Sequence, residues 1–366
     1  MNEAVDETEY TEETPAALDP MLIRAREITS SMEDSLLASQ VLISGVDGSG
    51  SVPQYMSEII KKYPPGGIMF FKYNLNADNE KIRGFLSEYV KLIYSETGVR
   101  PFLAVDHEGG TVNRFLPGVA DLPNASYYWD IFQKEGREEA LSSIENDSRE
   151  AAAKINSLGV NMNFAPVAEH INDNNRGFLL YRSYGPDPVF AYQASLAFIQ
   201  GMSQSGILSV IKHFPGSAGP DPHISASVIN MDRDELDSLI FPFLALINNG
   251  ARAMMIAHTL VPSIDNKIAS LSKVFMRDLL RNELGFDGII ISDDFIMQAA
   301  GNMSRYQAAV YSIAAGADMI LVWPGDLERT HRAIMSALEE GLLSRETLFE
   351  AVQRINYEKL KLGLLN

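Results

Sequence analysis

The sequence predicts an α/β chain folded as a single (β/α)8 barrel of the TIM type. Three observations point there. Short apolar runs alternate with amphipathic helical segments from residue 20 to residue 359. Most of those runs are continuously apolar, as parallel strands buried on both faces are. A length of 366 residues suits one barrel of ~250 residues with insertions. An opening helix near 20–38 precedes strand candidates at 40–45 (QVLISG), 67–71 (GIMFF), 101–105 (PFLAV) and 161–164 (NMNF). Four more follow at 207–211 (ILSVI), 254–257 (MMIA), 288–292 (GIIIS) and 318–322 (DMILV). Amphipathic segments at 138–158, 188–204, 232–248, 272–284 and 304–315 lie between strands, and several end in glycine-containing turns such as Leu158-Gly159 and Leu284-Gly285. A six-strand doubly wound sheet is the runner-up. No GxGxxG follows the first strand, so a dinucleotide fold has little support.

Charge and composition narrow the function classes. Against 30 Lys and Arg stand 48 Asp and Glu, a formal charge of −18, which disfavours nucleic acid as a partner because phosphate contacts need a basic surface. The chain has no cysteine, which excludes disulfide scaffolds, thiolate catalysis, Fe–S clusters and Cys-ligated zinc. No apolar run approaches the ~20 residues of a transmembrane segment. Residues 1–20 hold Glu3, Asp6, Glu7, Glu9, Glu12, Glu13 and Asp19 with no Lys or Arg. Such a run repels itself, so 1–20 reads as a disordered acidic N-terminal segment and 21–366 as the barrel domain. It lacks the basic-then-apolar order of a signal peptide. The expected compartment is the cytoplasm, with an exported or lipid-tethered form following only if an upstream signal had been removed.

Catalytic groups of such barrels sit at the C-terminal ends of strands and in the loops after them. Asp106, His107 and Glu108 follow the third strand candidate; Glu169 and His170 come soon after the fourth. Lys212 and His213 close the fifth, with Asp221 and His223 in its loop; His258 follows the sixth, and Asp293 and Asp294 the seventh. Of six histidines only His331 falls elsewhere, so the sequence predicts a polar, titratable pocket at one end of the barrel. HExxH and His-x-His metal pairs are absent, as is a GxSxG nucleophile elbow. Acid/base groups flanking a bond, with Lys and Arg nearby to hold polar substrate groups, suit glycoside chemistry.

Several strings then resemble glycoside hydrolase family 3, specifically its single-barrel bacterial β-N-acetylglucosaminidases (β-hexosaminidases). They are Val105-Asp106-His107-Glu108-Gly109-Gly110 with Arg114, Phe164-Ala165-Pro166-Val167, and Arg182-Ser183-Tyr184-Gly185-Pro186-Asp187-Pro188. Lys212-His213-Phe214-Pro215-Gly216, Ala257-His258 and Ala269-Ser270-Leu271-Ser272 through Ser292-Asp293-Asp294-Phe295-Ile296-Met297 complete the set, in the family's order. The resemblance implies a retaining, exo-acting enzyme that hydrolyses terminal β-linked GlcNAc, with peptidoglycan-derived muropeptides as the substrate class of the relatives. Asp293 would be the nucleophile, forming a covalent glycosyl-enzyme. Asp106, Arg114, Arg182, Lys212 and His213 match positions that hold the sugar. The acid/base group would be His223, paired with Asp221; a carboxylate on one imidazole nitrogen fixes the tautomer and raises the ring's proton affinity. The partner is then a carbohydrate, with no metal and no other cofactor required.

The chain also departs from the family pattern. Where the family continues Lys-His-Phe-Pro-Gly with His-Gly-Asp-Thr, this sequence has Ser217-Ala218-Gly219-Pro220, and the span to His223 is two residues shorter. Thr111 stands where arginine is common and Glu169 where aspartate is common. Three alternatives stay open: phosphorolysis of a GlcNAc β-glycoside, another β-glycosidase activity at the same site, and a catalytically weak sugar-binding protein. Oligomeric state is not legible in the sequence.

Overall fold

A computed structural model describes residues 19–218, 227–295 and 303–365. It is an α/β fold built on parallel strands, and all eight expected strands are present, most of them trimmed at the ends. The described residues form eleven strands: β1 (Leu42–Gly45), β2 (Gly67–Phe70), β3 (Phe102–Val105), β4 (Met162–Asn163) and β5 (Leu208–Ser209) come first. The chain continues with β6 (Ile211–Phe214), β7 (Ser227–Val228), β8 (Ala253–Ile256), β9 (Thr259–Leu260), β10 (Ile289–Ser292) and β11 (Ile320–Val322). Among the described residues the strands pair as a six-stranded sheet ordered β11-β1-β2-β3-β4-β5, a three-stranded sheet ordered β10-β8-β6, and the small pair β7-β9. Only Val210 separates β5 from β6, and parallel bridges join Val167 to Lys212 and Ile291 to Met319.

The helices start where capping chemistry places them. Asp187 accepts from Val189 and Phe190 to begin Pro188–Ser203, and reciprocal capping boxes, Asp232 with Glu235 and Ser304 with Gln307, begin Arg233–Asn248 and Arg305–Ala315. The opening helix differs from expectation. It is two helices, Pro20–Ser30 and Asp34–Gln40. The Ser30 and Ser31 hydroxyls donate to the Arg26 and Ile28 carbonyls, which competes with the helical ladder at the break. Of the acidic segment 1–20, residues 1–18 lie outside the described residues, while Asp19 caps the first helix and Pro20 begins it.

Apolar side chains from strands and helices meet in one core. Phe214 of β6 packs edge-on against Phe243 and Phe275, and Phe70 of β2 does so against Phe85 and Tyr89. Each such ring removed from water contributes about 1.5–3 kcal/mol, so these contacts hold β2 and β6 against the helices that carry Phe85, Tyr89, Phe243 and Phe275. Among the described residues no helix is long and apolar enough to cross a membrane.

Candidate active site

Residues in or just after β3, β4, β6, β8, β10 and β11, together with residues from the loops between, line a cavity of about 220 Å³. Leaving β3, the chain runs through Asp106, His107 and Glu108. Side chains alternate along extended backbone, so Asp106 and Glu108 face the cavity and His107 turns away. Asn163 of β4 fixes this register: its Oδ1 accepts the His107 N–H (2.9 Å) and its Nδ2 donates to the His107 carbonyl (2.9 Å). Gly109 (φ 102°) and Gly110 (φ 51°) then reverse the chain, with the Glu108 and Gly109 N–H groups donating to the Val112 carbonyl. The turn brings Arg114 back over Asp106.

The charged side chains form one continuous array. Arg114 donates to Asp106 (2.8 Å), and Lys212 donates to Asp106 (2.8 Å) and lies 2.6 Å from Glu108. Arg182 grips Glu108 with two parallel N–H groups, both at 2.8 Å, while its guanidinium stacks on Phe178. Burial opposes ionisation of Asp106, but the Lys212 and Arg114 charges outweigh it and hold the carboxyl well below the usual range. Glu108 behaves alike: burial pushes up, Lys212 and Arg182 push down harder, and it settles at about 2. Three cations thus hold two carboxylates ionised, and N–H donors and carboxylate acceptors line the same wall. Such a wall can hydrogen-bond a polyhydroxylated ligand from several directions.

His213 is oriented by Glu169, whose Oε1 lies 2.7 Å from His213 Nδ1 and accepts the His213 N–H (3.2 Å). The other oxygen, Oε2, accepts the Ser217 N–H (2.6 Å). Asp293, which lines the same cavity, leaves β10 with its N–H donating to the Ile256 carbonyl (3.1 Å) and its Oδ1 accepting the Asp294 N–H (2.8 Å). Asp294 takes the indole N–H of Trp323. His258, one residue past Ala257 at the end of β8, is buried beside Asp293, with Nδ1 2.7 Å from Ser270 Oγ.

Six of the eight residues singled out in the sequence therefore line one cavity: Asp106, Arg114, Arg182, Lys212, His213 and Asp293. Asp221 and His223 lie outside the described residues. The flanks of their segment are described. Ala218 N–H donates to Ser227 Oγ, and the same hydroxyl bonds the Ala218 carbonyl (both 3.0 Å), so residues 219–226 leave and return at one clasp next to Ser217 on the cavity rim.

Of the five histidines expected at this end of the barrel, two stand away from the cavity. His107 packs edge-on to Phe115, and burial pushes it down to about 4; His170 is also buried and lies outside the cavity. Only His213 and His258, among the described histidines, line the cavity. Three contributors were not picked out as site residues. Glu108 had a signal in its two-residue spacing from Asp106, which alternation places on one face. Glu169 and His258 had only their positions after strands four and six. Among the described residues no group of three or more His, Asp or Glu is arranged to hold a metal ion.

The family model described as the glycosyl hydrolase family 3 N-terminal domain matches residues 37–357. A β-hexosaminidase of Neisseria gonorrhoeae is 33% identical over 261 residues, covering 70% of this chain and 71% of the relative. Among solved structures, a family 3 β-N-acetylglucosaminidase from Paenibacillus superposes with a TM-score of 0.84 at 27% identity, over 91% of this chain and 63% of that one, under two thirds of its length. NagZ from N. gonorrhoeae in complex with N-trifluoroacetyl-D-glucosamine gives a TM-score of 0.73 at 27% identity, over 87% and 89% of the two chains. The chain belongs to glycosyl hydrolase family 3.

Proposed function

We propose that the chain is a retaining exo-β-N-acetylglucosaminidase that removes terminal β-linked GlcNAc, with muropeptide fragments of peptidoglycan as its substrate class. The observation that carries this reading is that Asp293 and the array of Arg114, Asp106, Lys212, Glu108 and Arg182 line one small cavity. The array holds the sugar by its hydroxyls and acetamido group. Asp293 attacks the anomeric carbon from the side opposite the leaving oxygen, forming an ester with inversion, and water then displaces it with a second inversion. The protein relatives named as β-hexosaminidase and β-N-acetylglucosaminidase support the choice of sugar.

Protonation of the leaving oxygen, and later deprotonation of water, falls to His223 with Asp221 as its partner. Support comes from the clasp between Ala218 and Ser227. His223 stands four positions before Ser227, which at ~3.5 Å per residue allows a reach of about 14 Å from that clasp. We further read the two larger sheets as one eight-stranded barrel. The Val167–Lys212 and Ile291–Met319 bridges support this, because they join the sheets at both edges.

The test is hydrolysis of an aryl β-GlcNAc glycoside followed by NMR, in phosphate and in phosphate-free buffer. The β anomer of GlcNAc as first product, with Asp293→Ala inactive, supports the reading. Release of GlcNAc-1-phosphate favours phosphorolysis, faster turnover of an aryl β-glucoside favours a broader glycosidase, and binding without turnover favours a sugar-binding role.

A further inference from the structure

The two carboxylate oxygens of Asp293 are not equivalent. Oδ1 accepts the N–H of Asp294 (2.8 Å), whereas Oδ2 accepts no hydrogen bond among the described residues. One oxygen is tethered to backbone, and the other is left free on a side chain that lines the cavity. A donor orients a carboxylate only if the peptide plane that carries it is itself fixed. Asp294 lies two residues beyond β10, past the Asp293 N–H bond to the Ile256 carbonyl. Its own carboxylate accepts the indole N–H of Trp323, the residue after β11. The anchored side chain and the donating N–H belong to one residue, so holding the first restricts rotation of the second.

Trp323 is braced in turn by the ends of β1 and β2. Its ring lies 5.0 Å from that of Phe71, with the two planes 11° apart. Phe71 follows β2, and its N–H donates to Oδ1 of the fully buried Asn74 (2.8 Å). The Asn74 amide donates to the Val46 and Gly48 carbonyls (2.9 and 2.8 Å), which ties the segment after β2 to the segment after β1. Gly45 closes β1. A Cβ there would stand 3.0 Å from the Phe71 ring and 3.1 Å from the Pro324 ring, so glycine lets both rings settle on the strand end. Contacts from the ends of β2, β1 and β11 thus meet at the indole, and the indole holds the residue next to Asp293.

We propose that Trp323 is a positioning residue for Asp293: through Asp294 it fixes the N–H that holds Oδ1, and so presents Oδ2 as the oxygen that attacks the anomeric carbon. A lone pair of Oδ2 forms the bond to that carbon as the bond to the leaving oxygen breaks. The leaving oxygen keeps that bond's electron pair and takes a proton from the general acid. Oδ1 becomes the ester carbonyl and keeps the Asp294 N–H. Water then adds to the carbon and gives its proton to the general base, and the pair of the carbon–Oδ2 bond returns to the carboxylate. No proton leaves Asp294 or Trp323. The proposal rests on Asp293 being the nucleophile.

The test is a double-mutant cycle in the full chain, with Trp323→Phe, Asp294→Ala and both together, read as kcat and KM on an aryl β-GlcNAc glycoside and checked for folding by thermal melting. Phenylalanine keeps a ring beside Phe71 and removes the N–H. Each single variant should lose about tenfold to a hundredfold in kcat, as a misplaced reacting group does, with KM little changed. The double variant should lose no more than the larger single loss, because both act through one hydrogen bond. Losses that multiply, or full kcat in Trp323→Phe, overturn the proposal; if Asp294→Ala does not fold, full kcat in Trp323→Phe still overturns it. A second arm adds Trp323→Phe to Asp293→Ala and supplies azide, a nucleophile that Asp294 does not position. The azide-dependent rate should equal that of Asp293→Ala alone, and a drop as large as in the parent background overturns the proposal, since it marks a general loss of site structure. Asp293→Ala that hydrolyses at the parent rate without azide refutes the nucleophile instead.

Discussion

Lys359 lies at the end of the fold away from the cavity, fully buried on the helix Arg345–Lys361. Its Nζ donates to Gln40 Oε1 (3.0 Å) and sits 5.3 Å from the centre of the Phe102 ring. Gln40 in turn donates to the Pro64 carbonyl. Burial pushes the ammonium pKa down from 10.5 to about 7. At 1.36 kcal/mol per pH unit this displacement is worth about 5 kcal/mol. The unfolded chain binds a proton between pH 7 and 10.5 that the folded chain does not, so this group makes stability rise with pH across that window and withholds the full amount below it. Lys359→Met removes the titration, but it leaves Gln40 Oε1 without its donor at a cost of about 1–3 kcal/mol. The variant should therefore be more stable than the parent by about 2–4 kcal/mol at pH 6. Near pH 10 it should be equal or slightly less stable. Urea unfolding of both proteins at the two pH values, compared as a difference so that other titrations cancel, checks this. A Lys359→Met variant less stable by the same amount at both pH values would refute the reasoning.

Three further outcomes follow from the site. Arg182→Lys keeps the charge but loses the fork on Glu108, so kcat/KM should fall about tenfold or more; Arg182→Ala should also lower stability by about 1–3 kcal/mol in urea unfolding, because Glu108 keeps Lys212 but its Oε2 loses its donor. Wild-type activity in Arg182→Lys would contradict this. Glu169→Gln sets an amide donor against the Ser217 or His213 N–H, destabilising by about 1–3 kcal/mol, and should slow aryl glycosides with poor leaving groups more than activated ones; a uniform slowing speaks against a link to the 219–226 segment. His223→Ala should spare a dinitrophenyl leaving group and harm an alkyl one, read from a plot of log kcat/KM against leaving-group pKa that steepens relative to the parent. An unchanged slope would remove His223 from the acid role.

The strands were legible because their apolar runs are buried on both faces, and the helix boundaries because Asp187, Asp232 and Ser304 cap where such residues do. The continuation of the fifth strand was not. A run ending at Ile211 looks finished when Lys212 and His213 follow, yet both are buried as part of β6, because Asp106, Glu108 and Glu169 satisfy them from the segments after β3 and β4. That compensation is non-local and leaves no trace in a sequence window. The same holds for the histidines: position after a strand put five of them at one end, whereas alternation turned His107 into the core. Asp106, Arg114, Arg182, Lys212, His213 and Asp293 were found together through the family likeness, since composition alone cannot say which strand-end charges share a cavity.

The central claim is that Asp293 forms the covalent bond to the sugar. Asp293→Ala, incubated with a dinitrophenyl β-GlcNAc glycoside and azide, tests it most directly, since the small anion can occupy the space left by the carboxylate. The account predicts negligible hydrolysis without azide, restored release of dinitrophenol with it, and a product identified by NMR as the α-glycosyl azide. Hydrolysis at the parent rate without azide, or a β-glycosyl azide as the product, would contradict it.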